Sequence, residues 1–239
     1  MYLREFEFDL PYQKNLVLIQ QYQKTFSVTF EEAQRMDYQN NWKTKRNSFR
    51  YQTRCITSML ERLLKPIKND ACKKVIFECY TSPTDDATIK NISGFLHIPV
   101  MLELSVFDAG NAHQKKQMIV QAIVDSLTKY QGHLPFHIDE ILSACARIAQ
   151  NNYKNEWIWK ETRKTNAGYA RVRVLHDCGN VKLFLDYLDT NSLVLRSLLI
   201  ASCAPDEWDY CNYLGKLTDT HDTIILTSKA GNQMKFPKN

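Results

Sequence analysis

Three groups of residues in this 239-residue chain have types and spacing that chemistry could use. Asp85 and Asp86 precede Glu103 on the following apolar run, and three carboxylates brought together can hold a divalent cation for metal-assisted hydrolysis. Glu103-Leu-Ser lacks a lysine two residues on, so nothing reinforces that reading and no metal site is expected. His133, His137, Asp139 and Glu140 crowd one short stretch and have the types needed for acid-base transfer. Asp139 and Glu140 are more simply first-turn acids favoured by a helix dipole. Cys178, in His176-Asp177-Cys178-Gly179, is the cysteine with polar company, as an activated thiol would require. The same residues read as a turn. His97 and the pair His221-Asp222 stand alone. The chain has no phosphate loop, no metal-ligand spacing and no nucleophile motif, so neither a catalytic residue nor a cofactor is expected, and an enzyme of another kind stays open as an alternative.

Charge is more informative. Lys43, Lys45, Arg46, Arg50 and Arg54 lie between Tyr38 and Leu60 with no acid among them; without those five, 26 of the 31 cations remain, matching the 26 acids. The net charge of +5 is therefore local, and a local patch suggests a surface with a partner. On a helix starting near Trp42, Lys43, Arg46, Arg50 and Arg54 fall at i, i+3, i+7 and i+11, a stripe opposite Phe49, Ile56 and Leu60. With Trp42, Phe49 and Tyr51 interleaved, the stripe suits RNA or DNA. It equally suits a protein with an acidic surface, or a solvated helix face paired with the acidic C-terminal half.

A second basic cluster, Lys160, Arg163, Lys164, Arg171 and Arg173, spans a hairpin. Arg171 and Arg173 share a strand face with Tyr169 while Val172 and Val174 point the other way, so this face is expected to be exposed or covered by a partner. From Asp177 to Asp222 the balance reverses to eight acids and three cations. Within that stretch Asp206, Glu207, Trp208, Asp209 and Tyr210 combine acids with rigid aromatic area, a composition suited to a protein interface. The alternative is a local helix whose Trp208 inserts into the core.

The elements that must position these groups follow from periodicity. Phe6 and Phe8 alternate with Glu5 and Glu7 over a strand at residues 2–8. Helices are expected over Tyr12–Lys24, after a Thr29–Glu32 capping box, and from about Asn47 to Leu64, closed by Pro66. Lys73–Tyr80 and Val100–Phe107 read as central strands. A central antiparallel helix pair follows, His113–Tyr130, with Gly132 as its cap, and Ile138–Asn151. From Trp157 the period becomes two: Trp157–Lys164, Tyr169–His176, Val181–Leu188 and Ser192–Ile200 form a β-meander, and Thr223–Lys229 with Gln233–Phe236 close the chain as a hairpin. Segregation of helices and strands predicts an α+β fold with an antiparallel or mixed sheet. A single domain is expected, or two packed modules with a seam near Asp108–His113.

Seven glycines, where an average of roughly 7% would give about seventeen, argue against nucleotide-cradling loops. Seven cysteines, an odd number without a Cys-x-x-Cys pair, suit a reducing compartment. Met1–Asp9 has no basic segment leading into an apolar core, and no apolar run approaches the roughly 18 residues of a membrane span. A cytoplasmic protein with no membrane partner is expected.

From about Gln114 to Phe236 the chain resembles uncharacterised bacterial proteins encoded beside polymorphic toxins. The likeness is carried by the helix pair Gln114–Asn152, the strand Trp157-Ile-Trp159, the turn before Tyr169-Ala-Arg-Val172, and the hairpin Thr223-Ile-Ile-Leu226 to Gly231. It implies an immunity protein that neutralises a toxin by binding it, without enzymatic activity. The basic stripe departs from the acidic surfaces that resemblance implies for immunity to nucleases.

Overall fold

In the computed structural model, which describes residues 1–82 and 87–238, the chain divides after Tyr153 into Met1–Tyr153 and Lys154–Asn239. The seam expected near Asp108–His113 lies inside the first unit, because the helix that follows it packs back onto the strand that precedes it.

The first unit opens with β1 (Tyr2–Leu3) and β2 (Glu5–Asp9), then α1 (Leu16–Phe26), α2 (Phe30–Asp37), a π-helical turn over Tyr38–Trp42 and α3 (Lys43–Leu63). Asn15 caps α1, and Thr29 and Glu32 form the expected capping box at α2: the Thr29 hydroxyl accepts from the Glu32 amide and the Glu32 carboxylate accepts from the Thr29 amide at 3.0 Å. After β3 (Ile67–Lys68), which pairs with β1, come β4 (Lys74–Tyr80), β5 (Lys90–Ile92) and β6 (Phe95–Met101). They build a mixed sheet of order β2-β4-β6-β5, with β2, β4 and β6 parallel and β5 antiparallel.

Val100–Phe107 is not one strand. The chain leaves the sheet at Met101, and Glu103, accepting from Ser105, caps α4 (Leu104–Ala109). Short apolar runs fit either element. The helix pair follows as α5 (Ala112–Lys129) and α6 (Asp139–Gln150), with Ile119, Ile123 and Leu127 fully buried on the first and Ile141, Cys145 and Ile148 on the second. Gly132 is not the helix cap. Tyr130 ends α5, and Gly132 lies in a 3-10 turn over Gln131–His133.

One face of the sheet carries Phe6, Phe8, Val75, Phe77, Leu96 and Ile98, all buried, with the Phe8 and Phe77 rings stacked at 4.9 Å. Burial of each such side chain contributes about 1.5–3 kcal/mol. Helix α3 packs along β2 and α5 along β6.

The second unit contains the expected meander, β7 (Glu156–Glu161), β8 (Tyr169–His176), β9 (Val181–Leu188) and β10 (Val194–Cys203), antiparallel throughout in the order β10-β9-β8-β7. Then come α7 (Glu207–Tyr210), β11 (Lys216–Asp219), β12 (Thr223–Thr227) and β13 (Gln233–Pro237), the last three forming an antiparallel sheet. Val172, Val174, Leu183 and Leu185 from the meander share one core with Leu217, Ile224 and Leu226, so the two sheets pack face to face. The Thr165–Gly168 turn between β7 and β8 needs glycine: Gly168 has φ +100°, and a Cβ there would stand 2.1 Å from the Leu188 carbonyl oxygen. Both units together make an α+β chain, as expected.

Candidate functional site

Lys43, Arg46, Arg50 and Arg54 share one side of α3, as their spacing requires, but that side runs along the edge strand β2 instead of facing open solvent. Arg46 grips both oxygens of Asp9, at 2.6 and 2.5 Å, and donates to the Tyr38 hydroxyl at 3.0 Å. These hydrogen bonds, working against burial, raise its pKa above the ordinary arginine value. Arg50 pairs with Glu7, which also meets Lys74. Arg54 holds both oxygens of Glu61, at 2.9 and 2.7 Å.

The last pair does further structural work. Glu61 accepts the Phe6 amide at 2.8 Å, and Arg54 donates to the Phe6 carbonyl at 3.3 Å. An edge strand presents backbone groups that would template another chain; here one ion pair supplies both an acceptor and a donor. The arginines of the stripe thus meet Asp9, Glu7 and Glu61 of the first unit. Lys43 remains exposed, donating to Gln39 at 3.2 Å. Trp42 is buried: it is 8% exposed, its indole N–H donates to the Leu10 carbonyl at 3.4 Å, and its ring lies edge-on to Tyr12. The π-helical turn that ends at Trp42 is part of this arrangement, held from below by buried Asp37. That carboxylate is pushed up by burial but held below its ordinary value by hydrogen bonds from the Tyr12 hydroxyl at 2.6 Å, the Asn15 amide and Asn41.

Arg171 and Arg173 lie on the meander face opposite Val172 and Val174, as alternation predicts. They converge on Asp186, whose side chain is 0% exposed. Arg173 donates to it at 2.7 and 3.1 Å, Ser197 at 2.7 Å and Arg171 at 3.5 Å, and the Arg173 guanidinium lies 4.6 Å from the Phe184 ring centroid. Burial pushes the Asp186 pKa up, yet the hydrogen bonds from Arg173 and Ser197 and the arginine charge together hold it below the ordinary value. The alternation placed the arginines; it did not reveal the acid that gathers them. Arg163 is exposed after the end of β7.

Residues 206–210 do form a local helix, and it is Tyr210, not Trp208, that enters the core. Tyr210 is 3% exposed, with its ring 6.2 Å from Trp157 and 5.9 Å from His176. Trp208 is 86% exposed. Its backbone is nevertheless fixed: Asp206 accepts the Trp208 amide at 2.9 Å, and Asn212 donates to the Trp208 carbonyl at 2.7 Å. Asp209 is exposed beside it, and Glu207 is half-buried. The arrangement leaves a large aromatic face exposed on a hydrogen-bonded backbone, with Asp206, Glu207 and Asp209 as its neighbours along the chain.

Asp85 and Asp86 lie outside the described residues, and Glu103 is the α4 cap. His133, His137, Asp139 and Glu140 are all exposed, and the last three line an open groove with Lys65–Asp70. Among the described residues no three His, Cys, Asp or Glu side chains are placed to hold a metal ion. Glu78 links His97 at 2.7 Å and Tyr80 at 3.0 Å on adjacent strands, a pairing the sequence did not suggest. Cys178 is 5% exposed.

None of the seven cysteines is in a disulfide; burial pushes Cys72 up to about 11 and Cys145 up to about 12. Thiol labelling of the denatured, unreduced protein is therefore expected to count seven thiols, and a native bridge would contradict the geometry. No helix among the described residues is long and apolar enough to cross a membrane. No protein-family model matches the chain, and neither the curated proteins nor the solved structures compared with it give a match.

Proposed function

We propose that this chain is a non-enzymatic protein-binding module of the immunity type, neutralising a toxin-like protein in the cytoplasm through the acidic-aromatic corner at Asp206–Asp209. The observation that carries the reading is the 86% exposed indole of Trp208 on a hydrogen-bonded backbone. A fixed aromatic anchor binds with little ordering cost, and covering a tryptophan contributes on the order of 4–6 kcal/mol gross. Three nearby acids then set the sign of the partner. Because Arg46, Arg50 and Arg54 pair with Asp9, Glu7 and Glu61, the stripe gives less support to an acidic partner, or to RNA and DNA, than its spacing alone does. A basic partner surface suits the corner better, and that agrees with what the resemblance implies for immunity to nucleases. Seven cysteines outside any disulfide suit a reducing compartment.

The test is co-expression with the protein encoded beside this chain in its native genome. The intact chain is expected to restore growth under that protein's toxicity. Trp208→Ala is expected to weaken binding by about 2 kcal/mol or more, roughly 30-fold, as buried aromatic hot spots do, and to lose protection. Full protection by the variant would remove the corner from the account.

A further inference from the structure

We propose that two copies of this chain pair edge to edge along β10, antiparallel about a two-fold axis, so that the meander of one continues into the meander of the other. β10 is an edge strand of its sheet and runs ten residues, roughly 33 Å at about 3.3 Å each. Edge strands are ordinarily blunted by charge or proline, because their unpaired backbone groups template another chain. The other edges of this unit follow that rule: β7 carries Glu156, Lys160 and Glu161, β11 carries Lys216 and Asp219, and β13 carries Lys235 and Pro237. β10 departs from it. Arg196 is its one charged residue, the run Ser197–Cys203 has none, and Leu195 is 69% and Leu199 56% exposed.

The strand is complementary to itself. Register shifts leave Leu195 and Ile200 out of pairing with β9, and such bulges bend a strand. The straight stretch is therefore Arg196–Leu199, fixed on its sheet by the Ser197 hydroxyl, which donates to Asp186 at 2.7 Å. In an antiparallel pair with its two-fold axis perpendicular to the sheet, one residue lies on the axis and those equally far before and after it stand opposite each other. With Ser197, Leu198 or Leu199 on the axis, Arg196 stands opposite Leu198, Ile200 or Ser202 of the second copy, and Leu195 opposite Leu199, Ala201 or Cys203. None of these registers brings the two arginines together, and each sets Leu195 against an apolar side chain, the kind of cross-strand pair that stabilises a sheet. A row without charge selects no oppositely charged partner, whereas a second copy meets it with the same apolar residues.

Sedimentation velocity of the full chain across the micromolar range is expected to show monomer giving way to dimer. Hydrogen exchange on the same samples needs no variant: the amides of Val194–Cys203 are expected to slow as the dimer fills, because pairing covers the open side of the strand. Leu199→Lys places a cation at or near the axis on both copies and is expected to raise the dissociation constant about 100-fold. Leu199 is exposed, so the variant is expected to melt like the dilute parent, which a thermal scan checks. A chain that stays monomeric throughout, a dimer that a folded Leu199→Lys chain still forms as tightly, or a dimer whose β10 amides exchange as fast as the monomer's would overturn the pairing. Species that keep growing with concentration would do the same, since a two-fold contact closes at two copies.

Discussion

Replacing Arg46 and Arg50 together by glutamate is expected to unfold or severely destabilise the first unit. A glutamate at 46 would face Asp9 and one at 50 would face Glu7, in a row where each acid is only 16% exposed at its side chain. Removing one partner of a buried pair costs about 3–5 kcal/mol, while fully exposed pairs contribute about 0–1. These pairs lie between those limits, and reversal adds like-charge repulsion to the lost attraction. A combined loss of roughly 3–6 kcal/mol follows, comparable with the whole stability of a domain, about 5–15 kcal/mol. Chemical denaturation of the double variant measures it. A variant as stable as the parent would show that the stripe is a solvated surface and would return it to the list of binding sites.

The second large effect lies in the meander. Asp186→Ala is expected to cost about 3–5 kcal/mol, because it leaves Arg173 and Arg171 gathered around an empty position. The carboxylate also makes stability depend on pH. Its folded pKa is depressed, so its contribution is fully present above the unfolded value of about 3.9 and is lost as pH falls through the folded pKa. Asp37, depressed likewise, adds to the same acid limb. Melting curves from about pH 5 downward should fall more steeply for the parent than for Asp186→Asn, which carries no proton-linked charge. Parallel curves would mean that Asp186 is not ionised in the fold.

Local signals survived translation into structure because their causes are local. The Thr29–Glu32 box, the alternation of Tyr169–His176 and the Thr165–Gly168 turn each depend on residues a few positions apart, and each is found where the spacing put it. The stripe shows where that reasoning stops. Periodicity correctly put the arginines on one side of α3, but the Asp9 that meets Arg46 is 37 residues earlier, and only the sheet's edge order brings it there. In the same way Asp186 looks like one more outward polar residue until β8 and β10 close over it with Arg173 and Ser197. At α7 the sequence offered Trp208 for the core, and the structure puts Tyr210 there instead. Two residues apart in one helical turn, they point to different sides, and what decides between them is the presence of Trp157 and His176 beneath Tyr210. The Leu104–Ala109 helix was hidden because its cap is a glutamate, a residue outside the usual capping set.

The corner itself is open to one direct measurement. The chain has four tryptophans, of which Trp208 is the exposed one while Trp42 is buried and Trp157 and Trp159 pack against the second unit's core. Labelling all four with 5-fluorotryptophan gives four fluorine resonances, assigned by substituting each in turn, and titrating in the protein encoded beside this chain reports which indole is covered. The Trp208 resonance is expected to shift and lose its solvent isotope effect on binding, with Trp42 unmoved. Saturable binding that leaves Trp208 unshifted would contradict the assignment of the acidic-aromatic corner as the recognition site.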